Sequence, residues 1–277
     1  MKDIKMKKHC ILIQAHKDIS YFLEFASLNK QVNFYIHIDK KSNYILATAH
    51  KNVFIIKNPI NICWGGWSQV EATLLLIEIA LQNEENYYFH FCSGEDVILQ
   101  KFSYIEADWS HNFHHSAMLE SEHSYKHQYR TRFNYIHADT KWQRGFFGKI
   151  LTQLYKNLNK FIFNDENTLY GSSWFSLKRD HAKIFNNVSQ PYKHLFAKKL
   201  CPDEHFFQLL AEDNDIKIAN DNKRFIFFDK KYKNGNNPHY LDNKDLLYAK
   251  ECGFWFARKV DKKIALQFLK KNIVNPQ

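Results

Sequence analysis

The sequence has 277 residues, a formal net charge of +10 and an apolar content of 45%. A chain of this length and composition can bury a large core, which excludes an intrinsically disordered protein. Its apolar runs are far shorter than the roughly 20 residues of a membrane-spanning helix, and the segment Cys10 to Ile13 behind the basic N-terminus is too short for a signal peptide. The positive charge favours polyanionic partners such as nucleic acids, nucleotide diphosphates or anionic membranes.

Cysteine usage bears on the compartment. The cysteines are odd in number, widely spaced and without a Cys-x-x-Cys pair, so buried free thiols fit better than disulfides or zinc. We therefore expect a protein that is made and kept in the cytoplasm, where its basic surface could hold it peripherally against the anionic inner face of the cell membrane. The positions are Cys10, Cys63, Cys92, Cys201 and Cys252.

The first hundred residues alternate between strands and helices. Apolar or alternating runs predict strands over Cys10 to Ala15, Val32 to Asp39 and Asn52 to Lys57. Between the first two, Asp18 can cap an amphipathic helix.

A capping box predicts the start of the next helix. Ser68 is followed three residues later by Glu71, and apolar residues recur at helical spacing from Trp67 to Leu81. Strands and helices in this order are typical of an α/β fold with a doubly wound, mostly parallel sheet. The right-handed crossovers of such a sheet bring the strand ends to one edge.

The stretch from Tyr87 to Gln100 contains the first candidate site. An aromatic, β-prone run ends at a Ser-Gly pair, and the carboxylates Glu95 and Asp96 follow directly. Ligands of α/β sheets bind at the carboxyl ends of strands, so this position favours a metal or phosphate site, with an ordinary solvated turn as the alternative. His16 and Asp39 would share the same edge.

The second half of the chain is less regular. Its first part is rich in histidine, but no pair has the close spacing and acidic company of a metal site. Helices are predicted over Phe146 to Phe163, from Pro202 and from Asp242. Strands are predicted over Thr168 to Leu177 and Gly253 to Arg258.

Several polar residues of these segments could converge on a nucleotide-sugar transferase site. An acceptor hydroxyl must lose a proton to a carboxylate as it attacks, and the departing diphosphate must be neutralised by a divalent ion or by fixed cations. Taken singly, each residue has a structural alternative as a helix N-terminal acid, a core aromatic or an exposed basic pair. The set is Asp39, Glu95, Asp96, Trp174, Glu204, Arg258 and Lys259.

Six short motifs follow one another in order along almost the whole chain. They are Ile36-His37-Ile38-Asp39 with Lys41-Ser42, Trp64 to Ala72, Ser93-Gly94-Glu95-Asp96, Gly171-Ser172-Ser173-Trp174-Phe175, Pro202-Asp203-Glu204 and Phe256-Ala257-Arg258-Lys259. Each motif alone is weak, but six in register are fairly specific. Together they resemble the core-2/I-branching β-1,6-N-acetylglucosaminyltransferase family, which also includes the peptide O-xylosyltransferases.

The resemblance implies a GT-A fold and an inverting mechanism that needs no divalent metal and no cofactor besides a UDP-sugar co-substrate. By motif position Glu204 would be the catalytic base and Lys259 would hold the donor diphosphate. Asp39 would lie at the nucleoside and Trp174 near the acceptor. The other donor-binding candidates are His16, Ser68, Glu95, Asp96, His239 and Arg258, and Asp203 is the other acceptor-binding candidate.

One family feature has no clear counterpart in this sequence. The family also uses an arginine upstream of the Lys259 motif against the diphosphate. This chain has no matching arginine there, so we expect His239, Lys230 or Lys233 to take its place.

The residues themselves also favour a site without metal. Glu95 and Asp96 are adjacent, and adjacent side chains of a strand point to opposite faces, so the two could not readily bind one ion. One of them would then face the hydroxyls of the donor sugar. A transferase that binds a metal here and uses another donor remains the alternative.

We expect one domain over residues 1–277, with a nucleotide-binding half over 1–110 and an acceptor-binding and catalytic half over 111–277. The expected enzyme is bacterial-type and moves GlcNAc or a xylose-like sugar to a glycan or glycolipid hydroxyl in surface polysaccharide or lipooligosaccharide synthesis. A nucleic-acid-binding protein is the other alternative, although the basic residues are scattered rather than gathered on one element.

Overall fold

Strands and helices alternate through the first half of the fold, a computed structural model that describes residues 7–162, 168–228 and 238–274. The strands in these ranges are β1 (Lys8–Ala15), β2 (Asn33–Ile38), β3 (Val53–Ile55), β4 (Asn86–Ser93), β5 (Asp96–Ile98), β6 (Glu122–Ser124), β7 (Thr168–Tyr170), β8 (Ser176–Lys178), β9 (Arg224–Ile226) and β10 (Phe256–Arg258). The α-helices are α1 (Ser20–Leu28), α2 (Trp67–Leu81), α3 (Phe102–Asn112), α4 (Tyr129–Arg132), α5 (Phe146–Phe161), α6 (Arg179–Phe196), α7 (Phe206–Asp213), α8 (Asn243–Glu251) and α9 (Lys262–Leu269). A 3₁₀ turn covers Pro202–Glu204, and a π-helical turn covers Lys270–Val274.

The central sheet has five strands in the order β3-β2-β1-β4-β8. The pairs β1–β2, β2–β3 and β1–β4 are parallel, and β8 is antiparallel to β4. This confirms the α/β class and the mostly parallel sheet expected of a GT-A-like fold.

Strand β1 is buried on both faces of this sheet. Cys10 and Leu12 belong to one hydrophobic core, whereas Ile11 and Ile13 belong to another. Because successive strand residues point to opposite faces, the two cores lie on the two sides of the sheet. Helices α1 and α9 contribute to the core of Ile11, and helices α2 and α6 contribute to the core of Leu12.

A smaller sheet, β5-β10-β9, follows the end of β4. Strand β10 is antiparallel to β5, with Arg258 opposite Asp96, and parallel to β9. This register joins the motif that follows β4 to the motif near the C-terminus, although the two are far apart in sequence.

The predicted start of helix α2 is wrong. The helix begins at Trp67 with Gly66 as its N-cap, and Ser68 lies inside its first turn. The carboxylate of Asp139 accepts hydrogen bonds from the Ser68 amide, at 3.2 Å, and from its hydroxyl, at 2.5 Å. A carboxylate from a distant segment therefore takes the place of the predicted capping box, and Glu71 instead pairs with Lys193 at 2.8 Å.

Two further predictions of element boundaries had different outcomes. The strand predicted over Thr168 to Leu177 is interrupted, because residues 171–175 form an irregular segment between β7 and β8. The cap predicted at Asp242 is confirmed, since its carboxylate accepts the amides of Lys244 and Asp245 in a capping box. That pattern succeeds because all of its partners are local in sequence.

Two findings bear on the expected compartment. The cysteines are free, with Cys10 and Cys92 buried and Cys252 exposed, so the expected burial applies to only part of the set. Within the described ranges, no helix combines the length and apolar character needed to cross a bilayer.

The aromatic core beside α6 and α7 gives a stability prediction. Phe207 is buried, and its ring centroid lies 4.7 Å from that of Phe175 and 5.7 Å from that of Phe185. Phe207→Ala is expected to lower the free energy of unfolding by about 3–5 kcal/mol, because it leaves a cavity in a packed core. Urea denaturation measures the change.

The matched control is Phe147→Ala, at a position that is 73% exposed. It should change the free energy of unfolding by less than about 1 kcal/mol. Equal losses in the two variants would contradict the assignment of Phe207 to the core.

Candidate active site

The strand ends of the central sheet meet at one edge, as the sequence predicted. The Asp39 amide, just after β2, donates to the Ala15 carbonyl at 2.8 Å. The Gly94 amide, just after β4, donates to the Gln14 carbonyl at 2.9 Å. His16 directly follows β1 at this edge and is exposed.

Asp39 shapes the loop beside this edge. One of its carboxylate oxygens accepts hydrogen bonds from the amides of Lys41, at 3.1 Å, and Ile62, at 3.2 Å. The side chain therefore joins the segment after β2 to the segment before α2.

Glu95 is surrounded by donors from three distant segments. One of its oxygens accepts a hydrogen bond from the Lys17 ammonium, at 2.5 Å, and another from the Tyr240 hydroxyl. The other oxygen lies 3.4 Å from the Lys259 Nζ. Burial alone would raise the pKa of Glu95, but these hydrogen bonds and the charge of Lys259 outweigh it and lower this pKa to about 2.

Asp96 has a different set of partners. Its carboxylate accepts hydrogen bonds from the Ser93 amide, at 2.9 Å, and from the Ser93 hydroxyl, at 2.6 Å. The Arg258 Nε lies 3.7 Å away. Asp96 is almost fully buried, and burial raises its pKa even though Arg258 opposes the shift. The two adjacent acids thus contact different groups.

Arg258 is a buried cation with unused donors. Its Cζ lies 3.8 Å from the centroid of the Trp174 ring. Its Nε and Nη1 atoms are buried and make no hydrogen bond within the described part of the chain. A buried guanidinium with such nitrogens can bind an anion, because buried N–H groups without acceptors raise the free energy of the folded state.

Trp174 supports this cation. Its ring stacks on Phe91 at a centroid distance of 5.0 Å, and Arg258 lies over it. Both contacts use the face of the indole. Trp174 is therefore better placed to hold Arg258 than to stack on a sugar.

His239 lies beside Lys259 through the backbone. The Lys259 amide donates to the His239 carbonyl at 3.4 Å, and the His239 amide donates to the Phe227 carbonyl at 2.8 Å. The two other candidates for the upstream cation, Lys230 and Lys233, lie outside the described residues.

Glu204 ends the 3₁₀ turn Pro202–Glu204 and remains partly accessible, with its side chain 30% exposed. One of its oxygens, Oε2, is bound by Nη1 of Arg130. Its backbone carbonyl accepts a hydrogen bond from the Gly171 amide at 3.0 Å. A Cβ atom at position 171 would lie 2.0 Å from the Glu120 carbonyl oxygen, which is a collision. Only glycine therefore fits at this position.

Asp203 is buried next to Glu204. Its carboxylate accepts a hydrogen bond from the Gln69 side chain at 3.0 Å. Burial, with the nearby Glu204 charge, raises the pKa of Asp203. Gln69 in turn accepts a hydrogen bond from the Gly65 amide at 3.0 Å, which ties the Glu204 turn to the start of α2.

Ser68 has its polar groups engaged inside the fold. Its hydroxyl donates to Asp139 at 2.5 Å and accepts from the Cys63 amide at 2.7 Å. These contacts give Ser68 a structural task at the start of α2, beside the predicted role in donor binding.

The segment 171–175 connects the two parts of the site. At its first residue the Gly171 amide holds the Glu204 carbonyl, and three residues later Trp174 lies under Arg258. The partly exposed acid and the buried cation are therefore fixed by the same short segment.

A comparison with known proteins identifies the family. A family model described as "Branch: Core-2/I-Branching enzyme" matches residues 10–247. The chain belongs to the Core-2/I-Branching enzyme family. The matched range includes Asp39, Glu95 and Glu204 and ends before Arg258 and Lys259.

This family member is also similar to a curated plant protein. It is 23% identical over 195 residues to "Glycosyltransferase BC10" of Oryza sativa subsp. japonica, which covers 68% of this chain and 48% of that protein. The chain thus spans about half the length of the curated relative that it matches.

The two adjacent acids of this Core-2/I-Branching family member contact cations and hydroxyl groups of the protein itself. Among the described residues, no group of three or more His, Cys, Asp or Glu side chains is arranged to hold a metal ion. The Glu95 carboxylate contacts two ammonium groups and a phenol, and Asp96 contacts Ser93 and Arg258.

Sequence reasoning missed several residues of the site. Arg130, which contacts Glu204, had no local signal because the two residues are 74 positions apart. Gln69 lies in the motif Trp64 to Ala72, but its contact with Asp203, 134 positions away, was not predicted. Lys17 and Tyr240 adjoin His16 and His239, two residues that the sequence did single out. Position at a strand end could have identified Lys17, whereas Arg130 required the fold.

The depressed pKa of Glu95 gives a pH-dependent prediction. Glu95→Gln should lower the free energy of unfolding at pH 7 by about 2 kcal/mol, because the ionised form is favoured in the folded state. A carboxylate with a lowered pKa stabilises the folded state at pH values above the ordinary glutamate pKa. This stabilisation is lost as the pH falls through about 2. The difference from the wild type should therefore shrink between about pH 5 and pH 2. Urea titrations across this range measure it.

Glu71→Gln is the matched control. Glu71 pairs with Lys193 at 2.8 Å, but both side chains are exposed, so the variant should lose less than about 1 kcal/mol. A Glu95→Gln deficit that does not change with pH would show that the side chain stabilises through shape rather than charge.

Proposed function

We propose that this Core-2/I-Branching family member is an inverting glycosyltransferase that moves a sugar from a UDP-sugar to a hydroxyl of a glycan acceptor. The observation that carries the proposal is that one short segment, 171–175, contacts both the partly exposed carboxylate Glu204 and the buried cation Arg258. Family membership supports a transferase over the nucleic-acid-binding alternative.

Glu204 is the proposed catalytic base. The acceptor oxygen attacks the anomeric carbon while its proton passes to the Glu204 carboxylate. The bond between the anomeric carbon and the diphosphate oxygen breaks, and UDP leaves with the electron pair. Arg130 binds Oε2, and no hydrogen bond from a described residue reaches Oε1, so Oε1 is the oxygen proposed to take the proton.

Fixed cations are proposed to neutralise the departing diphosphate. Arg258 has buried nitrogens without hydrogen-bond partners in the described structure, and Lys259 and Lys17 both contact Glu95, which precedes Asp96 in the chain. Positive charge held in place stabilises a leaving group without the reorganisation that water would need. His239, beside Lys259, is proposed to assist at the diphosphate.

The remaining candidate residues are assigned to the donor side or the acceptor side of the proposed site. His16, Asp39 and Ser68 are proposed on the nucleoside side, and Glu95 with Asp96 at the floor beneath the donor sugar. Trp174 and Asp203 are proposed on the acceptor side.

The substrate classes are also proposals. GlcNAc or a xylose-like sugar would be the donor group, and a glycan or glycolipid of a bacterial-type surface polysaccharide or lipooligosaccharide would be the acceptor. A cytoplasmic enzyme of this kind would work against the inner face of the cell membrane.

Replacement of the proposed base tests the mechanism directly. Glu204→Gln should reduce transfer by about 10²–10⁴-fold, because the amide cannot accept the proton, while UDP binding by thermal shift stays near that of the wild type. Glu212→Gln, an exposed acid on α7, is the matched control and should retain full transfer. Substantial turnover by Glu204→Gln would overturn the assignment of the base.

Metal removal tests the source of positive charge. Transfer should continue in excess EDTA, because lysine and arginine side chains supply the charge at the diphosphate. Lys259→Ala should weaken UDP binding by about 10-fold or more, whereas the exposed control Lys263→Ala should not. Strict dependence on Mn²⁺ or Mg²⁺ would favour the metal-dependent transferase instead.

A further inference from the structure

Helix α5 leaves a continuous apolar face uncovered. Five of its large side chains are between 43% and 79% exposed: Phe147, Ile150, Leu154, Leu158 and Phe161. They follow one another at spacings of three or four residues, so they lie on one side of the helix. We call this side, together with the exposed Phe146, the apolar face of α5. Exposed apolar patches of this kind mark interaction sites.

Another side of α5 is already packed against the protein. Tyr155 contacts Tyr135, with ring centroids 4.7 Å apart, and Phe133, at 5.2 Å. Gly148 approaches the Trp142 carbonyl so closely that a Cβ would lie 2.1 Å from it. The helix is therefore held in one rotation, and its apolar face cannot turn inward to the core.

The charged residues of the segment that contains α5 are all basic. The segment 140–162 contains no Asp or Glu. Its basic residues are Lys141, Arg144, Lys149, Lys156 and Lys160. At 100° per residue the three helical lysines form a group of their own, on a third side of the helix that is neither the apolar face nor the packed side.

We propose that the apolar face of α5 binds the surface of an anionic lipid bilayer, with the helix lying in the plane of the interface. A helix with an apolar face, aromatic residues near its ends and lysines on its polar side has the composition of an interfacial membrane helix. The lysines would contact anionic headgroups while the apolar side chains enter the boundary of the acyl chains.

An anionic bilayer fits this face better than a second copy of the chain. Two copies would bring two positively charged segments together, and each chain already carries a formal net charge of +10. Anionic headgroups match the lysines in sign. The electrostatic term therefore favours lipid and opposes self-association.

The position of α5 connects lipid binding to the proposed active site. Arg132, in α4, donates to Asn159 at 3.0 Å and to the Ile162 carbonyl at 3.1 Å. Arg130, in the same short helix, binds Glu204. If the proposed function holds, docking through α5 places the acceptor side of the cleft near the membrane surface. The lipid binding itself does not depend on that function.

Vesicle co-sedimentation of the full chain, without nucleotide sugar or acceptor, tests the proposal. Vesicles contain phosphatidylcholine alone or mixed with phosphatidylglycerol. The wild type should bind the mixed vesicles, and the double variant Leu154→Gln/Leu158→Gln should lose about 10-fold or more in affinity. The matched control is Leu195→Gln/Leu247→Gln, at two exposed leucines of α6 and α8, which should bind like the wild type.

A second variant in the same assay measures the contribution of the lysine charges separately from that of the apolar side chains. Lys149→Gln/Lys156→Gln/Lys160→Gln should weaken binding to the mixed vesicles several-fold and reduce its dependence on salt, because fewer charges are screened. Circular dichroism checks that each variant keeps the wild-type fold.

Three results would overturn the proposal. The first is failure of the wild type to bind mixed vesicles, and the second is equal binding by the leucine variant of α5. The third is concentration-dependent dimerisation that requires Leu154 and Leu158, which would make this face a contact between copies. Since no transfer reaction takes part, a failed glycosyltransferase assay leaves the lipid result intact, and the reverse also holds.

Discussion

Buried positive charge is the constraint on which the site depends. Arg224 and Arg258 both lie inside the fold beside the buried Asp96, and charges in such positions are costly unless they are matched. Arg224 is largely matched by the protein itself, because it donates to the carbonyls of Phe91, at 3.1 Å, and Phe175, at 2.6 Å, and only its Nε lacks a partner among the described residues. Arg258 is matched less well, since Asp96 is 3.7 Å away and two of its nitrogens make no hydrogen bond in the described structure. An anionic ligand would complete what the protein leaves open at Arg258.

The central sheet and the irregular segments contribute different residues to the site. Strands β1, β2 and β4 bring Glu95 and Asp39 to one edge of the sheet. The proposed base, Glu204, and the residues that support Arg258 belong to short segments outside the sheet. Gly171 shows why one such segment is so constrained, because its amide holds the Glu204 turn while the Glu120 carbonyl leaves no room for a side chain. A displacement of this segment would move both the acid and the support of the cation.

Helix α5 and the active site share a boundary. Helix α4 contacts Glu204 through Arg130 and contacts α5 through Arg132, so one turn of helix joins the proposed base to the apolar face. If both proposals hold, the same chain combines a site for a sugar nucleotide with a neighbouring surface suited to lipid. An acceptor that is itself anchored in a membrane would meet both features at once.

The sequence by itself determined the α/β class, the shared edge of His16, Asp39 and Glu95, and the cap at Asp242, because these depend on periodicity, parallel connections and neighbours in the chain. It also marked the motifs that end in Glu204 and Lys259. Only the tertiary structure decided which groups hold them. Asp139 replaces the predicted cap of α2, Arg130 pairs with Glu204, and Lys17 and Tyr240 share Glu95, all over separations of more than 70 residues. Pairings at that distance leave no periodic or local signal, since packing of the whole chain selects them.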